Sequence, residues 1–219
     1  MSAPPGRPAY PTVVFDLDGT LVDTIGLIVA SYQHAFRTVL GHPQDEVRIK
    51  AWIGQPLIRA FREVSPEHAD ELFAVYTAWN EANTERLIRS YAGVDGLLRD
   101  LAAAGVAVAV ATSKRSHPAR WALQLTGLTD LVPVVVTMED TLTHKPDSAP
   151  LLLAVRRSGG EPARAAYVGD AHVDMAAARG GGLTPVGVAW GAGTVEELRA
   201  GGAETIVDTV SALRILLLS

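Results

Sequence analysis

The sequence predicts an α/β fold, a parallel sheet covered by helices on both faces and interrupted after its first strand by a helical insertion. Three observations lead there. From Gly93 onwards, short β-branched apolar runs alternate with helical segments of about 10–15 residues, the texture of strands buried on both sides. Between about Thr24 and Tyr91 the periodicity is helical, with no strand. Large side chains also concentrate in that stretch, which holds eight of the 13 aromatic residues: Tyr32, Phe36, Trp52, Phe61, Phe73, Tyr76, Trp79 and Tyr91. A small helical unit needs such side chains because little of its surface is interior, so they read as core packing and not as a ligand cage.

Taken in order, Met1 to Tyr10 carries three prolines and no apolar core of a signal peptide, and is expected to be a short tail. Thr12-Val13-Val14-Phe15 is the first strand, closed by Asp and Gly residues. After the helical block come strands at Val106–Thr112, Val132–Val136, Ala165–Gly169 and Thr184–Ala189, with an edge strand at Glu204–Val207. Ser116 with Pro118 marks a helix start, and Gly159-Gly160 closes the helix containing Leu151–Arg157. The expected division is therefore an α/β domain of residues 1–22 with 93–219, and a helical domain of residues 23–92.

Composition narrows the function classes. A chain of 219 residues with 48% hydrophobic and 20% charged residues can bury a core and is not disordered. With 24 acidic against 19 basic residues it lacks a generally basic surface, so no nucleic-acid partner is expected. The absence of cysteine excludes disulfides, thiolate metal sites and thiol nucleophiles. The longest apolar run, Leu101 to Ala111, is 11 residues broken by Gly105, against the ~20 of a membrane span. The expectation is a cytoplasmic protein with no membrane partner; the sequence sets no oligomeric state.

The chemistry begins at Phe15-Asp16-Leu17-Asp18-Gly19-Thr20-Leu21. Two carboxylates two residues apart at a strand end lie where open α/β sheets form their ligand crevice. Gly19 lets the chain leave the strand sharply, and Thr20 is expected to bond locally and hold the turn. Two anions this close repel unless a cation lies between them, and hard oxygen ligands favour Mg²⁺. A calcium loop is excluded, because its pattern needs Gly at the sixth position and Glu at the twelfth, whereas here Gly is fourth and Leu27 twelfth.

This strand followed by Asp-x-Asp-Gly-Thr resembles the first motif of the haloacid dehalogenase superfamily, and three later segments match that family in order. Val108-Ala109-Val110-Ala111-Thr112-Ser113-Lys114 resembles the second motif through Thr112; Thr143-His144-Lys145-Pro146 resembles the third through Lys145. Tyr167-Val168-Gly169-Asp170-Ala171-His172-Val173-Asp174 resembles the fourth through Asp170 and Asp174. Lys145 stands out in a chain with only three lysines, at 50, 114 and 145. The resemblance implies a Rossmann-like sheet and phosphoryl transfer with Mg²⁺ as cofactor. Asp16 would be the nucleophile that forms an aspartyl-phosphate, and Asp18 the acid and base at the leaving oxygen. Thr112, the Ser113 amide and Lys145 would hold the phosphate oxygens. The metal would be held by Asp16, the Asp18 carbonyl and Asp170, with Asp174 supporting. The cation and Lys145 should lower the Asp16 pKa. A dehalogenase needs no second acid, so Asp18 favours phosphate esters.

The insertion resembles the helical cap of the subgroup that contains phosphoglycolate phosphatases and β-phosphoglucomutases, with hinges near Val22–Thr24 and Ser90–Gly93. Ile53-Gly54-Gln55-Pro56-Leu57 resembles its specificity loop, and Gln55, Arg59 and Arg62 are expected to contact the leaving group. The expected substrate is a small phosphorylated metabolite, with phosphoglycolate the nearest. The alternatives are a pyrophosphatase, a β-phosphoglucomutase-type phosphotransferase and a phosphonoacetaldehyde hydrolase using Lys50, the one cap lysine. A non-enzymatic binding protein is disfavoured because every expected catalytic position holds a competent residue. A dinucleotide-binding protein is disfavoured because no Gly-x-Gly-x-x-Gly follows a strand.

Overall fold

The computed structural model describes residues 8–219, so most of the expected tail, residues 1–7, lies outside the described residues. Chain order runs β1 (Thr12–Phe15), β2 (Val22–Asp23), α1 (Ile25–Leu40), α2 (Glu46–Trp52), α3 (Leu57–Val64), α4 (Ala69–Leu87) and β3 (Arg89–Ser90). It continues with α5 (Val94–Ala103), β4 (Ala107–Ala111), α6 (Ser116–Leu125), β5 (Val134–Val136), α7 (Ala149–Arg157) and β6 (Ala165–Gly169). The last elements are α8 (His172–Gly180), β7 (Thr184–Val188), α9 (Val195–Gly201), β8 (Thr205–Val207) and α10 (Val210–Leu218). No described helix is long and apolar enough to cross a membrane.

Six strands form a parallel sheet in the order β5-β4-β1-β6-β7-β8. Alternation along β1 feeds two cores. Val13 and Phe15 join Leu97 and Leu98 of α5, Leu123 of α6 and Leu213 of α10 on one face. Val14 joins Ala109, Leu151 of α7 and Ala177 of α8 on the other. Burial on both sides is why these strands read as continuous apolar runs. The strand expected from Val132 begins at Val134, because a 3₁₀ turn at Thr129–Leu131 leads into it.

The helical segment packs a core of its own, in which Tyr32 meets Tyr76 at 4.9 Å and Phe61 at 5.3 Å between ring centroids. Phe36, Ile49, Trp52 and Leu72 complete it. Trp79 and Tyr91 pack instead against the sheet-side core. The segment is joined to the sheet by an antiparallel ribbon, Val22 opposite Ser90 and Asp23 opposite Arg89. No strand is expected in 24–91, yet β3 lies there; a strand of two residues is too short to show a period of two.

The order β4-β1-β6 places three strand ends side by side. Asp16 follows β1, Thr112 follows β4, and Asp170 follows β6 just before α8. Residues 96 and 154 positions away from Asp16 thereby reach one crevice.

Candidate active site

The turn after β1 is wound around one carbonyl. Leu17 O accepts from the Leu21 and Val22 amides at 3.0 Å each, and the Gly19 amide donates to Val22 O at 2.9 Å. Gly19 has φ +78°, and a Cβ there would collide with the Asp170 carboxylate, so glycine is required both for conformation and for close approach. Thr20 does not hold the turn as expected. Its hydroxyl donates across the crevice to Asp170 Oδ1 at 3.2 Å, a link between residues 150 apart in the chain.

Asp16, Asp170 and Asp174 are buried, each offering a carboxylate oxygen within 4.8 Å of the others. Lys145, 1% exposed, enters this group, with its Nζ 2.9 Å from Asp16 Oδ1 and 2.7 Å from Asp174 Oδ1. Lys145 also donates to the Tyr167 hydroxyl at 3.1 Å, and that hydroxyl donates to Ala111 O at 3.0 Å. These contacts of Tyr167 are ones the sequence reading missed. The signal was a tyrosine in a strand otherwise built of Ala, Val and Gly, where a buried hydroxyl needs a partner. Asp174 accepts from the Ala171 amide through its second oxygen at 3.0 Å. Asp170 accepts from the Ala192 amide at 2.7 Å, and a Cβ on Gly191 would strike its carboxylate. The 191–193 loop is the second element the motif reading missed.

Three carboxylates face one ammonium in this buried cluster, and burial decides the outcome. It pushes Asp16 up to about 7; Lys145 pulls downwards, while Asp174 and Asp18 add to the rise. Lys145 lowers the Asp16 pKa in the expected direction, but without a bound cation desolvation outweighs it. Burial also raises Asp170 well above the usual carboxylate range, helped by Asp174 and Asp16. Burial works against the charge on Lys145, but Asp16 and Asp174 outweigh it and hold the ammonium firmly protonated. Asp16 Oδ1 has no aligned hydrogen bond despite the nearby ammonium, which leaves a buried oxygen open to a further cation.

Across the crevice, Lys114 Nζ grips both oxygens of Asp18, at 2.9 and 3.2 Å. The same residue's amide donates to Thr112 Oγ1 at 3.1 Å. Lys114 appears in the sequence only as the residue after Ser113, with nothing local to show its partner. Ser113 Oγ donates to Gly54 O at 2.7 Å, tying the helical segment to the end of β4. Gly54 has φ +89°, and a Cβ there would lie 3.1 Å from Val173 and 3.2 Å from Ala171, at the start of α8.

A cavity of about 150 Å³ lies between the two parts, bounded on the sheet side by Asp16, Asp18, Thr112, Ser113 and Lys114. Of the three residues expected to contact the leaving group, Gln55 lines the cavity and Arg59 and Arg62 do not. Both arginines are exposed, because α3 turns its apolar stripe of Leu57, Ile58 and Phe61 inwards. Lys50 is also off the cavity, paired with Glu46 at 2.8 Å on the surface. Trp52, Phe73, Tyr32 and Tyr76 serve as cavity wall as well as core packing.

The chain has relatives of known family. Residues 13–188 match the model of the haloacid dehalogenase-like hydrolases. A relative named pyrophosphatase PpaX, from Bacillus velezensis, is 33% identical over 201 residues, spanning 92% of this chain and 93% of that protein. A crystal structure described as a predicted phosphatase from Clostridium acetobutylicum superposes with a TM-score of 0.85 at 27% identity, covering 95% of this chain and 98% of that one. One described as a predicted phosphoglycolate phosphatase from Haemophilus somnus has a TM-score of 0.83 at 23% identity over 96% of this chain and 99% of that one, a likeness of fold. With this sheet order, four acidic and basic side chains converging at its strand ends, and a family match across both parts of the chain, the protein belongs to the haloacid dehalogenase-like hydrolases.

Proposed function

We propose that the protein is a Mg²⁺-dependent phosphatase that hydrolyses a small phosphomonoester through an aspartyl-phosphate on Asp16. The observation that carries this reading is the Asp16–Lys145–Asp174 cluster buried at the strand ends, with Asp18 facing the same cavity. Asp16 and Asp170, with the backbone carbonyl of Asp18, are the oxygens that would hold Mg²⁺. Three buried carboxylates converging within 4.8 Å, with one ammonium among them, fit a hard divalent cation. Such an ion would neutralise phosphoryl charge and keep Asp16 ionised.

The side chains divide the remaining work. Asp16 attacks phosphorus as the ester oxygen leaves, and Asp18 gives that oxygen its proton. In the second half Asp18 takes the proton from the water that attacks the aspartyl-phosphate, releasing inorganic phosphate and restoring the Asp16 carboxylate. Thr112, the Ser113 amide and Lys145 hold the phosphoryl oxygens. Asp174 acts as a positioning residue, since its oxygens are taken up by Lys145 and the Ala171 amide. Residues 23–92 serve as a cap that opens about Val22–Thr24 and Ser90–Gly93, where the β2–β3 ribbon joins the two parts.

Hydrolysis of pyrophosphate is the second reading, favoured by the name of the Bacillus velezensis relative. The position of Lys50, outside the cavity, counts against Schiff-base phosphonate chemistry. The test is phosphate release from a panel of phosphomonoesters and pyrophosphate, with and without Mg²⁺, using Asp16→Asn as the blank. Mg²⁺-dependent release that disappears in Asp16→Asn is expected. Release that persists in Asp16→Asn, in a protein that stays folded, refutes the nucleophile.

A further inference from the structure

The wall opposite Asp16 comes from the helical segment and is mostly apolar, built of Ile28, Trp52, Leu57, Ile58 and Phe73. Its neutral polar groups are Tyr32, Tyr76, Thr77, Asn80 and Gln55. The one charged side chain this segment contributes is Glu81, an acid. From these residues we infer that the substrate's leaving group is an uncharged alcohol with an apolar body. The inference rests on the phosphatase reading above and narrows its substrate class.

The two cations on the sheet side of the cavity support it, because each is already paired with an acid. Lys114 is held by Asp18 at 2.9 Å, and Arg115 Nε by Glu139 at 3.0 Å. The Asn80 amide nitrogen donates to Ser31 Oγ at 3.0 Å and that of Gln55 to Ala51 O at 3.2 Å, so each amide offers only its second proton. A carboxylate or a second phosphate seated against this wall would lose its water, meet an acid and gain no cation from the helical segment. An alcohol would lose little water and bury its carbons against the aromatic wall. Phosphoglycolate and pyrophosphate both place an anion at the wall, so the wall selects against both.

The test compares phosphoglycolate with phosphoglycolamide, its uncharged isostere, and with pyrophosphate. Two readouts are used: kcat/KM of the wild type, and the dissociation constant of the Asp16→Asn protein, both with Mg²⁺. The amide is expected to be favoured at least about tenfold in each, the scale of an unpaired charge in an apolar pocket. Thr77→Lys, which adds a cation to the wall, is expected to reduce that preference about tenfold. Equal or better use of phosphoglycolate or pyrophosphate by the wild type overturns the inference, as does a preference that Thr77→Lys leaves unchanged. If no ester releases phosphate, the proposed reaction fails, and the binding ratio still decides the leaving group: tighter binding of the amide supports it. Equal, weaker or absent binding of the amide overturns it.

Discussion

Lys145→Met removes the ammonium from among Asp16, Asp170 and Asp174 while filling most of its volume. At an effective dielectric constant of 20, the contacts at 2.9 and 2.7 Å are each worth about 6 kcal/mol before desolvation is counted. Burying the ammonium offsets much of that, and removing one partner of a buried pair typically costs about 3–5 kcal/mol. For a protein of 219 residues this is a fall of roughly 6–20 °C in Tm. The assay is denaturant or thermal unfolding in EDTA at pH 8 and pH 5.5. Because Asp16 in the folded protein titrates at about 7, it is largely neutral at the lower pH and no longer needs the ammonium. The difference between wild type and variant should therefore be smaller at pH 5.5, where the contact to Asp16 no longer counts and that to Asp174 remains. An equal loss at both pH values would mean that only packing was removed, and no loss at pH 8 would refute the electrostatic account altogether.

Three further outcomes follow from the same geometry. The Asp16 pKa is raised on folding, from about 3.8 to about 7, so its contribution is present in full below pH 4 and lost as pH rises through 7. At 1.36 kcal/mol per unit this is about 4 kcal/mol. Metal-free protein should lose stability between pH 4 and 8, and Mg²⁺ should raise Tm more at pH 8 than at pH 5.5; equal Mg²⁺ shifts would count against Asp16 as a ligand. Gly54→Ala places a Cβ at φ +89° against Val173 and Ala171, a strain of about 1–3 kcal/mol, and should lower kcat/KM about tenfold with Tm nearly unchanged as the loop undocks. Unaltered kinetics would show that the Gly54 contact is not needed for turnover. Lys114→Met should lower kcat about tenfold or more through the loss of its two contacts to Asp18, and Lys114→Arg, which can also grip both oxygens, should recover part of it. A Lys114→Arg variant no better than Lys114→Met would refute a positioning role.

The parallel sheet and the helical insertion were legible in the chain, as were Asp16, Asp18, Thr112, Lys145, Asp170 and Asp174 as candidates for one site, because each rests on a local pattern. Strands buried on both faces are runs of apolar residues, and the motifs of Asp16, Thr112 and Asp170 each sit at the end of one. Partners set by long-range packing were not legible. Thr20 reads as a turn residue until Asp170, 150 positions away, is brought against it. Lys114 and Tyr167 gain their meaning only when β4, β1 and β6 align their ends. The direction of the Asp16 pKa in the metal-free protein depends on burial, which spacing along a chain does not encode. The cavity wall was hidden for a similar reason. Arg59 and Arg62 lie on the same short helix as Leu57 and Ile58, and only the docking of that helix decided which face lines the cavity and which meets water.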